Sequence, residues 1–193
     1  GNYRSEGVEF NSEIAVIGED PNNRPVIEPL DPNTDDSYWQ LLFRNGGPFV
    51  AANLEFNYVT EGRGGGIFMK PDSGSDALIS NVEMKGQPVG NALSLGAYSE
   101  SNKCVVEHFK ARDGDEDRNI LGTAGLLIQN AHEGKLWIVN THLWHFGQGL
   151  YLSAAHGDDP SVYGYGECHI RGGSYKNNNV AGVRLGTANS TIK

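Results

Sequence analysis

The stretch Lys135 to Leu152, KLWIVNTHLWHFGQGLYL, limits what this chain can fold into. It holds three short apolar runs, Leu136–Val139, Thr141–Trp144 and Gly149–Leu152, parted by Asn140 and by His145–Gln148. Each run is strand-length, alternating, and rich in β-branched or aromatic residues. A single Asn cannot close an ordinary two-residue hairpin. It can turn a corner from which the chain continues, which makes one turn of a solenoid. The pattern recurs along the chain. Asn53 and Asn81 stand between the same kinds of run, in Phe49–Phe56 and Ala77–Met84, and His108 and Gly172 occupy the frame in Cys104–Ala111 and Cys168–Tyr175. Gly18 closes the first such run, Ile14–Ile17. These corners are roughly 27 to 35 residues apart, within the range of solenoid arrays. A third run recurs before each next turn, as in Gly7–Phe10, Gln40–Phe43, Gly66–Met69, Ala92–Leu95, Gly125–Ile128, Gly149–Leu152 and Gly182–Leu185. The expectation is an all-β parallel β-helix of about six coils, each with three short strands.

The rhythm G-I-x-L followed by L-I-x-N-V-x-F resembles the right-handed parallel β-helix of the pectate-lyase-like superfamily. Polysaccharide lyases, hydrolases, epimerases and virus tailspikes belong to it. Gly1-Asn2-Tyr3-Arg4 is similar to the G-x-Y that opens many such helices. The resemblance covers nearly the whole chain, so residues 1–193 are expected to form a single parallel β-helix domain. It specifies a fold far better than a function. It also implies that corner asparagines stack into a hydrogen-bonded ladder, with Asn53 and Asn81 as adjacent steps and His108 interrupting. Right-handedness follows from the resemblance and from the general preference of parallel connections. The repeat pattern runs up to both ends without an obvious cap, and solenoids need caps. The chain is therefore expected to be a fragment of a longer one.

Charge and hydropathy narrow the partners. A formal charge of −9 argues against a nucleic-acid backbone or an anionic membrane as the main partner. No run approaches the roughly 18 apolar residues of a membrane span. Twenty-six glycines suit a chain that turns several corners per coil. Cys104 and Cys168 each lie four positions before a corner, on the inward phase, with the coil of Leu136 between them. Two rungs at about 4.8 Å each put their Cα atoms near ~10 Å apart, too far for a disulfide. Both thiols are expected to be free and buried.

Alternation separates inward from outward positions. On the closing strand the outward row reads Glu9, Leu42, Phe68, Ser94, Leu127, Tyr151, Arg184. Enzymes of the resembled family place clustered acids on this sheet, and this row has none. Phe68 and Tyr151 are candidate sugar-stacking platforms, with Arg184 reading an acidic group; a covered apolar face is the alternative. Asp113, Asp115 and Asp117 have the 1-3-5 spacing of a calcium loop, but Arg118 and Ala124 fall where an EF-hand needs Gly and Glu. An irregular Ca2+ site and a solvated acidic loop both remain open. A lyase would use those acids to hold calcium against a uronate, with Arg112 or Arg118 as the base. His142 and His145 are candidate acid/base groups or metal ligands along one groove edge with Tyr151. The candidate catalytic set is thus Asp115, Asp117, Arg112, His142 and His145.

Two further rows complete the reading. Glu55, Glu83, Lys110, His142 and Ser174 face outward after the corner and suggest no function. Before the corner, Val50, Leu78, Val105 and Trp137 make an apolar stripe large for bare solvent, which a homo-trimer or another segment would cover. The leading expectation is a glycan-binding or adhesive module, tailspike-like, at the cell surface, on a virion or otherwise extracellular, with a polysaccharide or cell-surface glycan as partner. A polysaccharide lyase or glycoside hydrolase is the enzymatic alternative, and a structural fibre segment the third.

Overall fold

The computed structural model describes residues 2–5, 7–29, 39–62, 65–72, 74–88, 91–96, 103–113, 124–129, 135–153 and 167–186. Among these the chain runs through β1 (Asn2–Ser5), β2 (Val8–Phe10), β3 (Ile14–Ile17), β4 (Val26–Pro29), β5 (Trp39–Gly46), β6 (Phe49–Gly62), β7 (Gly65–Pro71), β8 (Ala77–Pro88) and β9 (Leu93–Gly96). It continues through β10 (Lys103–Glu107), β11 (Lys110–Asp113), β12 (Ala124–Gln129), β13 (Lys135–Val139), β14 (His142–Trp144), β15 (Gln148–Ser153), β16 (Glu167–Arg171), β17 (Ser174–Lys176) and β18 (Ala181–Gly186).

The result is an all-β parallel solenoid. One sheet stacks seven strands in the order β18-β15-β12-β9-β7-β5-β2. The other has eleven strands and is folded at the corner residues into two walls. Before the corner, β3, β6, β8, β10, β13 and β16 pair in sequence; after it, the ends of β6 and β8 pair with each other, and β11, β14 and β17 follow. Each strand's partner is the equivalent strand one turn away, so a row of side chains runs along the axis with a new member every ~4.8 Å.

The corners explain why the repeat is spelled as it is. Asn53, Asn81, His108 and Asn140 have φ of 54°, 52°, 51° and 50°, and Gly172 has 66°. This left-handed region costs an ordinary L-residue about 1–2 kcal/mol, and Asn and Gly tolerate it best. Asn81 Nδ2 donates to Asn53 Oδ1 at 2.9 Å, and Asn53 Nδ2 donates to the Gly18 carbonyl at 3.2 Å. The expected ladder therefore forms at those steps.

Two expectations are corrected. First, three short strands per coil hold where His108, Asn140 and Gly172 break the sheet, but β6 and β8 run unbroken through Asn53 and Asn81. Pairing skips only the corner itself and resumes one residue past it, Leu54 with Val82. Second, the turns number about four among the described residues, slightly fewer than the six coils expected. Among the described residues the first and last turns keep exposed apolar side chains: Val8 by 42 %, Ile17 by 56 %, Val183 by 41 % and Leu185 by 53 %.

Between the ends the interior is mostly apolar and layered. Phe43, Phe49, Phe56, Phe109 and Phe146 are wholly buried, with Ile67, Met69, Ile79, Leu93 and Leu126 among them. Each such side chain contributes roughly 1.5–3 kcal/mol relative to exposure. Cys104 and Cys168 flank Leu136 in one inward row, both free and buried, as the spacing requires. Burial pushes each thiol up to about 12.

Candidate functional site

The wall after the corner presents two outward columns. Corner-plus-two positions give Glu55, Glu83, Lys110, His142 and Ser174; corner-plus-four positions give Asn57, Lys85, Arg112, Trp144 and Lys176. Alternation makes both columns face the same way. Together they shape a groove of about 680 Å³, lined by Glu83, Lys85, Lys110, Arg112, His142 and Trp144 over the backbone of Met84 to Gly86 and Ala111. In a chain of net charge −9, this wall gathers Lys85, Lys110 and Arg112 on neighbouring rungs, with Lys176 two rungs beyond Arg112.

A strap crosses beside the Glu83 end of the groove. After Gly18 the chain crosses back over the corner, held where Asn53 and Asn81 donate to the carbonyls of Gly18 and Pro21 and Glu55 N donates to Pro25 O. This delivers Arg24, whose guanidinium bonds Glu83 Oε2 at 2.5 Å and lies 3.8 Å from Glu55. Lys85 Nζ completes the network, 3.1 Å from Glu55 and 3.6 Å from Glu83. Partial burial works against the Glu83 carboxylate, but the Arg24 hydrogen bond and the fields of Lys85, Arg24 and Lys110 outweigh it and hold the group below its ordinary value. The acids are thus matched at the strap end. Beyond them the groove floor is cationic.

The far end is aromatic. The His142 ring lies 5.5 Å from the Trp144 ring at 20°, a stacked pair, and His142 Nδ1 is 2.9 Å from Ser174 Oγ. That hydrogen bond fixes the imidazole's orientation. Arg112 sits on the rung between Lys85 and Trp144. The arrangement offers charge-assisted hydrogen bonds to an anion and a flat ring face within one trough.

The sequence candidates are distributed unevenly. Arg112 and His142 come together in the groove. His145 does not join them: it is buried at the next corner, with φ of 64°, and accepts from Asn177 Nδ2 at 3.4 Å. Asp113 ends β11 with its backbone opposite Gly86. Asp115 and Asp117 lie outside the described residues, as do Arg118, His132 and His156. Among the described residues no three His, Cys, Asp or Glu side chains converge as a metal-holding group.

The closing-sheet row has the register expected of it, from Glu9 through Phe68 and Tyr151 to Arg184. Phe68 and Tyr151 are three rungs apart, about 14 Å, and the Ser94 and Leu127 between them are buried. Trp39 packs on Phe68 at 5.4 Å, and the Arg184 guanidinium lies 4.8 Å over the Tyr151 ring. The stripe of Val50, Leu78, Val105 and Trp137 is likewise in register and half-buried. His169 extends it, stacked on Trp137 at 5.5 Å and 3°, with Nε2 at 2.8 Å from Glu167. Among the described residues no helix is long and apolar enough to cross a membrane.

Sequence reasoning missed the groove as a unit. It saw the corner-plus-two column and found no function there, and it assigned Lys85, Trp144 and Lys176 no role. Counting four residues past each corner would have aligned Lys85, Arg112, Trp144 and Lys176 and exposed the trough. No family model matches the chain, and neither the curated proteins nor the solved structures include a match.

Proposed function

We propose that this chain is a glycan-binding module on a pectate-lyase-like β-helix, working at a cell surface, on a virion or otherwise outside the cell, and that an acidic polysaccharide lies in the groove after the corner. The observation that supports this reading is the placing of Lys85, Lys110, Arg112, His142 and Trp144 on three consecutive rungs of one trough. Rungs repeat at about 4.8 Å, close to the length of one hexose unit in an extended glycan. A chain laid along the solenoid axis therefore meets a new pair of side chains with each sugar. Arg112 suits a carboxylate or sulfate because its planar fork donates two parallel hydrogen bonds. Trp144 supplies a rigid apolar face for the C–H side of a ring. Tyr151 capped by Arg184 offers a smaller contact of the same kind on the other sheet.

The test is binding of acidic and neutral polysaccharides to the full chain, with Arg112→Ala and Trp144→Ala alongside. Acidic glycans bind, more weakly as salt rises, and each variant loses about tenfold or more, as removal of a charge-assisted bond or an aromatic contact implies. Equal binding of neutral and acidic glycans, or unchanged binding by both variants, overturns the assignment of this groove. A polysaccharide lyase is the second reading, favoured by Arg112 standing in the trough as a base. Unsaturated uronate formed with calcium, and lost in Arg112→Ala that still binds, selects it over simple binding.

A further inference from the structure

We infer that the polysaccharide of the trough carries its acidic group on every second sugar, so that charged and uncharged units alternate; this rests on the reading of the groove just given and narrows its ligand. The corner-plus-four column carries the argument. Trp144 pairs in register with Arg112 of β11 on one side and with Lys176 of β17 on the other. An aromatic rung thus stands between two cationic ones. The corner-plus-two column keeps the same division: Lys110 shares a strand with Arg112, whereas His142 shares one with Trp144. His142 Nδ1 is engaged by Ser174 Oγ at 2.9 Å, which leaves Nε2 to meet a hydroxyl or an amide of an uncharged sugar.

The spacing sets the period. Two rungs cover about 9.6 Å, the length of two sugar units in an extended glycan. The Debye length at 0.15 M salt is about 8 Å, so Arg112 and Lys176 act as separate sites and not as one diffuse patch. Lys85 does not extend the cationic series, because Glu55 and Glu83 hold its Nζ at 3.1 and 3.6 Å. Lys176 is exposed and, among the described residues, has no ion pair, so its charge is open to a ligand. It lies one rung past the residues that line the trough, and the ligand therefore runs on along the wall beyond Trp144. A neutral sugar at the middle rung lays its C–H side on the indole, while the sugars before and after it offer their acids to Arg112 and Lys176. An acid on every sugar would set a carboxylate against the Trp144 face, where an ion loses water without gaining a partner.

Titration calorimetry of the full chain at about pH 8, above the ordinary histidine range, and about 0.15 M salt tests this with three probes. Hyaluronan carries a carboxylate on alternate sugars, polygalacturonate on every sugar and dextran on none. The wild type binds hyaluronan about tenfold or more tightly than polygalacturonate, and dextran weakest of all. Trp144→Lys puts a cation on the middle rung and reverses the order of the two acidic polymers. Trp144→Phe keeps a ring there and keeps the order. Lys176→Ala weakens hyaluronan binding by about fivefold or more. An unchanged melting temperature shows that each variant folds, and Trp144→Phe supplies the readout if Trp144→Lys does not. Polygalacturonate bound as tightly as hyaluronan, or more tightly, overturns the alternation and leaves the groove an acidic-glycan site. So does an order that a folded Trp144→Lys leaves unchanged or that Trp144→Phe abolishes. Binding of neither acidic polymer overturns both the alternation and the reading of the groove beneath it.

Discussion

Replacing Asn81 by Ala and by Gly separates two reasons for an asparagine at the corner. The first is conformational: Asn81 holds φ at 52°. The second is the ladder. Its Nδ2 donates to Asn53 Oδ1 at 2.9 Å and to the Pro21 carbonyl at 3.2 Å, and its Oδ1 accepts from Arg24 at 3.4 Å. The two shorter bonds are worth about 0.5–1.5 kcal/mol each, and the third is too long to count for much. Both variants therefore lose about 2 kcal/mol. Ala adds about 1–2 kcal/mol for a left-handed backbone. Gly is spared that strain but gives back about 0.5–1 kcal/mol through its freer unfolded chain. The expected losses are about 3–4 kcal/mol for Ala and roughly 1 kcal/mol less for Gly. For a chain of 193 residues, each kcal/mol moves Tm by about 2–4 °C. Urea titration followed by circular dichroism, with Tm by calorimetry, measures both. If Ala and Gly melt together, backbone conformation does not select Asn at this corner. If neither variant melts early, the ladder contributes nothing to stability.

Other outcomes follow from the same geometry. His108 sits at a ladder position with φ of 51°, so His108→Asn should add about 0.5–1 kcal/mol through one partly exposed hydrogen bond, read as a higher urea midpoint; an unchanged or lower midpoint rejects the ladder explanation. Cys104 and Cys168 should resist a thiol reagent in the native state and react at the rate of opening, and thiol labelling at increasing urea checks this. Because burial raises both thiols from 9.0 to about 12, the unfolded chain loses protons first as pH climbs. Stability should then fall above pH ~9, and Cys104→Ala/Cys168→Ala should flatten that fall. Glu83 is held low by Arg24, Lys85 and Lys110 against its partial burial, so its contribution is present above the ordinary carboxylate value and disappears as pH drops through the folded one. Glu83→Gln should be less stable than wild type at pH 7 and converge with it in acid, as paired melts would register.

Much of the fold was legible because a solenoid writes its geometry in a short period. Asn53, Asn81 and Asn140 mark a conformation few residues accept, so their recurrence located the corners and, by counting, every inward and outward row. The placing of Cys104 and Cys168 around Leu136 came from that count alone. Strand length was less legible. Nothing in the composition after Asn53 or Asn81 tells a strand from a connection, so the continuous run to Pro88 was read as shorter. Lys85 was thereby left out of the trough. The strap was not legible either, since the reach of Arg24 to Glu83 spans 59 positions and follows no periodicity. His145 shows the converse: a histidine among aromatic residues suggested chemistry, and its left-handed φ of 64° places it among the corner residues.

The strap also imposes an order in time. Each strand of the solenoid needs only the turn made just before it, so the walls can assemble in the sequence in which a ribosome delivers them. Arg24 is different. Its partner Glu83 lies 59 residues downstream, which at 5–20 residues per second is about 3–12 s of chain growth. Until then the first turn has neither Asn81 to anchor Pro21 nor Glu83 to bond the guanidinium, and only the more distant Glu55 carboxylate faces it. The strap from Gly18 to Pro25 therefore waits on the nascent chain, loosely held, and locks only when the Asn81 corner has emerged and folded beneath it.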